Sequence, residues 1–138
     1  MKKLKIFLLV IITIPTLVVF SIFIRNKAIG PEGWMRDDLI SELKKMVKNP
    51  ESLVIRQEYV YRKNDSPLTH IYICGLADAR NSFGAYTGGF RFVATGYYTE
   101  KLYNFSGVNI ETDDEIATAK SVGVKTAFEK VYWDSYCR

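Results

Sequence analysis

Chemistry-bearing residues are scarce in this chain. Its 138 residues include one histidine and two cysteines. A zinc centre draws three or four protein ligands, mostly His and Cys. One imidazole and no Cys-x-x-Cys pair fall short of that, so no metal and no cofactor is expected. The GxSxG, HExxH, Walker and Rossmann fingerprints are all missing. Ser82 has no histidine near it in sequence to build a triad, although a triad need not be local. For hydrolase chemistry Asp78, Glu100, Glu111 and Asp113 are candidate carboxylates among 15 acidic residues; nothing pairs them, and they read as solvated charges. A basic excess of the kind nucleic acid attracts is also missing from most of the chain. The net charge is +4, but Lys2, Lys3, Lys5, Arg25 and Lys27 against Glu32 account for all of it, and the residues after Gly33 balance 14 basic against 14 acidic side chains. Those basic residues bracket an apolar run, so a nucleic-acid partner is not expected.

Charge disappears altogether from Ile6 to Ile24. At ~1.5 Å per residue that run makes a helix of roughly 28 Å, close to the ~30 Å hydrocarbon core of a bilayer. Thr13, Thr16 and Ser21 can bond back to helical carbonyls, and membrane helices accept a proline such as Pro15. The expectation is therefore a cytoplasmic start and transmembrane anchor over residues 1–29, with inner-membrane lipid as its partner. The basic start outweighs Arg25 and Lys27, which places the N-terminus in the cytoplasm and the rest in the periplasm. A signal peptide cleaved after Val19, Phe20 and Ser21 is the alternative; the apolar run continues past that site through Ile22, Phe23 and Ile24.

If the following domain is exported, Cys74 and Cys137 meet an oxidising compartment and a disulfide is expected. It would tie the end of the chain to the middle of a strand. The competing reading, a Cys74/His70 dyad four residues apart on one strand face, is allowed by spacing alone.

Gly30, Pro31, Glu32 and Gly33 read as a short linker over residues 30–33. A domain over residues 34–138 follows. Trp34 to Lys48 has apolar residues at helical spacing (Met35, Leu39, Ile40, Leu43, Met46, Val47), with Asp37 and Asp38 early, Lys44, Lys45 and Lys48 late, and Asn49 and Pro50 as a stop. Glu51 to Lys63 alternates, placing Leu53, Ile55, Tyr59 and Tyr61 on one face and Arg56, Glu58 and Arg62 on the other. A turn at Asn64 to Pro67 sends the chain back. Thr69 to Ala79 is apolar on both faces and belongs centrally in a sheet. Phe90 to Tyr98 is a third strand, with Phe90, Phe92 and Ala94 inward and Arg91 outward. Leu102 to Ile110 is a short fourth, broken at Gly107. The last helix runs from Asp113 to about Tyr132, capped by Thr112. Its expected apolar stripe is Ile116, Ala119, Val122, Ala127, Val131 and Tyr132, with a slip at Gly123. The predicted fold class is α+β: an N-terminal transmembrane helix, a helix, a three- to four-stranded antiparallel sheet and a C-terminal helix.

The blocks Asn49-Pro50-Glu51-Ser52, Cys74-Gly75 and Ala79-Arg80-Asn81-Ser82-Phe83-Gly84-Ala85-Tyr86-Thr87-Gly88, followed by Phe90, Phe92 and a C-terminal cysteine, carry a resemblance. The chain resembles small exported bacterial and prophage proteins of unknown function, over about Asn49 to Phe92 plus Cys137. It departs from their usual text at Asn49-Pro50-Glu51-Ser52, where Asp-Pro-Asp-Ser is common, and at Leu76-Ala77-Asp78, where a Gly-Glu-Val-Asn-type run is common. The resemblance implies export and a disulfide more than any activity.

The candidate binding surface is the segment holding Arg80, Asn81, Ser82, Phe83, Tyr86 and Thr87, with Arg91 beside it. It mixes amide, hydroxyl, aromatic and guanidinium groups with Gly84, Gly88 and Gly89, whose backbones can take positive φ. Read blandly, the same segment is a hairpin turn whose aromatics pack on the sheet. The function expected is a membrane-anchored periplasmic interaction protein without enzymatic activity. Its partner would be an envelope protein or a glycan, and its role cell-envelope or phage-exclusion related. The alternative is an envelope enzyme acting on peptidoglycan or another glycan through an unrecognised site.

Overall fold

The computed structural model describes the backbone of residues 2–138, and the side chains of residue 11, residues 13–25 and residues 28–138. The chain forms two compact units, residues 1–34 and residues 35–138.

In the first unit the backbone is helical, as the start of helix α1 (Lys2–Met46). It leaves helical geometry at Gly30, where φ is 60° and ψ is −171°. Pro31 then stands where a helix restarts, the position that suits its fixed φ and missing N–H. Of the stretch expected as a linker, Pro31 to Gly33 is helical. Among the described residues no helix is long and apolar enough to cross a membrane. That finding corrects the expected transmembrane anchor. The continuous described part of the apolar run, residues 13–24, gives only about 18 Å of helix against a ~30 Å core. The remainder of that expectation, including Lys2, Lys3, Lys5 and Lys27, lies outside the described side chains.

The second unit is a four-stranded antiparallel meander, order β1-β2-β3-β4, packed on both faces. β1 is Val54–Asp65, β2 is Leu68–Asp78, β3 is Phe90–Tyr98 and β4 is Tyr103–Ile110. The apolar-on-both-faces text of β2 is explained by its interior place. Ile71, Ile73 and Ala77 point to one face, where Met35, Leu39 and Leu43 of α1 close a core with Phe92 and Ala94. Cys74 and Val93 point to the other face, against Phe128 and Cys137. Each of these side chains is almost wholly removed from water, and truncating a buried Leu, Ile or Met to Ala costs about 2–5 kcal/mol.

β1 departs from the alternation expected of it. A bulge between Ile55 and Gln57 shifts the register, and a shift of one residue exchanges the two faces. Leu53, Ile55 and Val60 accordingly lie on the α1 core, while Tyr61 packs on the opposite face with Cys74. Glu58 is brought to the helix side, where Arg36 Nε donates to its Oε1. Gly75 belongs to this irregularity: a Cβ there would lie 2.1 Å from the Gln57 carbonyl and 2.7 Å from the Phe92 ring. Only glycine leaves room there for that ring and the Gln57 carbonyl. β4 is continuous through Gly107, and its extra residue is accommodated by a register shift opposite Thr95 and Gly96.

The C-terminal region is not one helix. α2 (Asp113–Val122) opens with a Thr112/Glu115 capping box and ends at Gly123 with φ 69°, so the residue expected as a slip is the terminator. A π-helical turn (Glu129–Trp133) and the short α3 (Asp134–Tyr136) follow. Of the expected stripe only Ala119 is buried; Val122 and Val131 line an open groove of about 580 Å³ between these segments. Phe128, outside that stripe, is the core residue.

Cys74 and Cys137 are disulfide-bonded with Cα atoms 5.9 Å apart. The bond fastens the end of the chain to the middle of β2. It also removes Cys74 from any thiol chemistry with His70, whose ring stacks on Tyr72, itself stacked on Tyr136.

Candidate functional site

The β2–β3 connection is a closed, side-chain-pinned loop. Arg80 and Tyr86 form an isolated antiparallel bridge. Between them the Asn81 amide donates to the Ala85 carbonyl at 2.9 Å, and the Gly84 amide donates to the Asn81 carbonyl at 3.0 Å. The Asn81 Oδ1 accepts from the backbone of Phe83 at 2.9 Å and of Ala85 at 3.1 Å. This is the local bonding that makes asparagine a turn former. Gly84, Gly88 and Gly89 have φ of 83°, 103° and 85°, in the region where side chains are strained.

The base of the loop is held by a distant segment. Pro50–Ser52 forms a single 3₁₀ turn after Asn49. Ser52 Oγ accepts from the Arg80 amide at 2.8 Å, and the Ser52 carbonyl accepts from the Tyr86 hydroxyl at 3.1 Å. One serine thus fixes both limbs. Two guanidinium groups rest on the Tyr86 ring, Arg56 at 5.2 Å and Arg80 at 5.4 Å from its centre, within the ~6 Å range of cation–π attraction. Arg56 also donates to Asp78 Oδ2 at 2.9 Å. The Asp78 side chain is 3% exposed, and its Oδ1 takes no hydrogen bond.

Phe83 sits at the tip and is 96% exposed. Tyr86 is 40% exposed; Ser82, Thr87 and Arg80 are also on the surface. Arg80, Asn81, Ser82, Phe83, Tyr86 and Thr87 therefore share one loop. Arg91 does not join them. Its guanidinium makes a two-pronged bond to Glu111 at 2.6 and 2.7 Å and reaches Glu129 at 3.3 Å. It also lies over the rings of Trp133 and Phe128. Glu111 is 5% exposed and accepts a further bond from Thr126 Oγ1 at 2.7 Å. Hydrogen bonding to Arg91 holds its carboxyl below the usual range against the opposing effect of burial. This network packs the C-terminal segment onto the sheet.

Ser52, Arg56 and Asp78 complete the loop's surroundings, and sequence patterning does not select them. Ser52 stands in a block that the resemblance marks, yet nothing local ties it to Arg80 28 residues on. Arg56 reads as one outward residue of an alternating strand, because its bulge depends on the partner strand. Among the described residues no group of three or more His, Cys, Asp or Glu side chains is placed to hold a metal ion.

No family model matches this chain, no curated protein matches its sequence and no solved structure matches its fold.

Proposed function

We propose that this chain is a binding domain of an oxidising compartment, such as the bacterial cell envelope, and that it captures a protein partner through the Arg80–Gly89 loop with Phe83 as the anchor. One observation carries the reading: a phenylalanine left almost wholly in water at the tip of a loop whose backbone is pinned by Asn81 and Ser52. A ring that served only the fold would be packed on the sheet, as Phe90 and Phe92 are. Aromatic and arginine side chains dominate binding energy where they fill a partner's pocket, and a pre-formed loop avoids the entropy of ordering on contact. The disulfide supports the compartment, since reducing cytosol keeps such pairs open. The resemblance to small exported proteins supports it as well.

The test is photo-crosslinking in envelope-expressing cells, with p-benzoylphenylalanine replacing Phe83 and, as control, exposed Lys63. A discrete protein adduct from position 83, absent from position 63 and reduced by competing unlabelled chain, is the expected result. No adduct from position 83, or turnover of muropeptides by the pure chain, would overturn the proposal in favour of an envelope enzyme.

A further inference from the structure

The charges around Tyr86 are unequal, and that inequality bears on what the loop recognises. Asp78 neutralises Arg56 through one hydrogen bond. Arg80 has no such counter-charge among the described residues; its guanidinium lies by the Tyr86 ring. A guanidinium carries five N–H donors in one plane, and attraction to an aromatic ring consumes none of them as a carboxylate would. The Arg80 guanidinium lies 5.4 Å from the ring centre, and none of its donors is used by a carboxylate among the described residues. A surface arginine loses side-chain entropy on meeting an anion, and attraction to the Tyr86 ring offsets part of that loss by favouring one placement of Arg80. Its backbone is bonded to Ser52, and the fully exposed Phe83 is three residues away.

We infer that Arg80, backed by Arg56 on the Tyr86 ring, is a carboxylate seat, and that the loop selects an acidic, amphipathic protein segment that places an Asp or Glu beside an apolar side chain. The inference rests on the loop being the contact surface, and it names the chemistry of the occupant. A carboxylate matches the planar fork in two-pronged fashion, and the apolar neighbour covers Phe83. A neutral glycan would offer Arg80 hydroxyl acceptors but no counter-charge for the desolvated guanidinium. An anionic membrane offers headgroups to the arginines but needs more inserted apolar surface than one phenylalanine.

The test uses the full chain labelled with ¹⁵N, titrated with three probes. These are a capped hexapeptide of alternating glutamate and leucine, its glutamine-for-glutamate counterpart, and vesicles of phosphatidylcholine with phosphatidylglycerol. The expected result is that the acidic peptide shifts the amides of residues 80–89 and binds roughly three- to tenfold more tightly than the glutamine peptide. Salt near 1 M, where the Debye length is ~3 Å, should erase the difference, and so should Arg80→Gln. Unchanged amides outside the loop verify that this variant is folded. Equal affinity for the two peptides at the loop overturns the carboxylate seat and leaves the loop as a contact surface. Shifts confined to residues outside the loop overturn both. Stronger loop shifts with vesicles than with either peptide assign the anion to a membrane and overturn the protein segment.

Discussion

Asn81 shows how much one side chain contributes to this surface. Its Oδ1 satisfies two backbone N–H groups of the turn, those of Phe83 and Ala85. Each such bond is worth about 1 kcal/mol net. Asn81→Ala should lower stability by roughly 1–2 kcal/mol in urea unfolding and broaden the Phe83 ring resonances, because the tip loses its frame. Glu111 contributes through its charge. Its folded-state pKa lies below the ordinary carboxylate value, chiefly because Arg91 bonds to the ionised form. Such a group stabilises the fold at every pH above its unfolded value near ~4.3 and gives that up as pH falls through the lower folded value. Glu111→Gln should therefore cost about 1–3 kcal/mol at neutral pH, and the gap from the unaltered protein should close on acidification below pH ~4. A gap that persists there would assign the loss to packing.

Among the elements, α2 depends most on its ends. Ala119 is its one buried residue, so packing contributes little, and the capping box with the acidic first turn must hold it. Thr112→Ala is expected to cost about 1 kcal/mol and to raise amide exchange across residues 113–122 while β2 and β3 stay protected. What the sequence made legible follows the same division. Local signals were readable: the Thr112 cap, the glycines of the loop, the Asn49 and Pro50 stop after α1, and β2 as an interior strand. Signals set by a partner far along the chain were not. The Arg56 bulge is fixed across the sheet by Gly75 and Phe92, so period-two reading misassigned the faces of Tyr59, Tyr61 and Glu58. Gly123 stops α2 in a left-handed conformation, which a helical stripe drawn straight through it could not register. The apolar run from Ile6 to Ile24 suggested a membrane span that no described helix provides.

At the scale of the molecule, the sheet of the second unit is held between α1 residues on one face and the C-terminal segment on the other. The second layer is short and carries its own covalent tie. Cys74 and Cys137 are 63 residues apart, a loop for which chain entropy gives an upper figure of roughly 4 kcal/mol. Cys137→Ser should cost about 2–4 kcal/mol in reversible unfolding and should first release the segment around Phe128 and Trp133, seen as a change in Trp133 fluorescence. The loop that follows β2 should keep its structure, since Ser52 and Asn81 hold it independently. Partner capture turns on Phe83 at the tip of this pinned loop. The most direct measurement is the affinity of the full chain, for the protein crosslinked at position 83, after Phe83→Ala and after Tyr59→Ala, the latter removing an aromatic ring 53% exposed on β1. A loss of about 2 kcal/mol, some thirtyfold, is expected for the first and almost none for the second; an affinity that Phe83→Ala leaves unchanged would rule Phe83 out as the anchor.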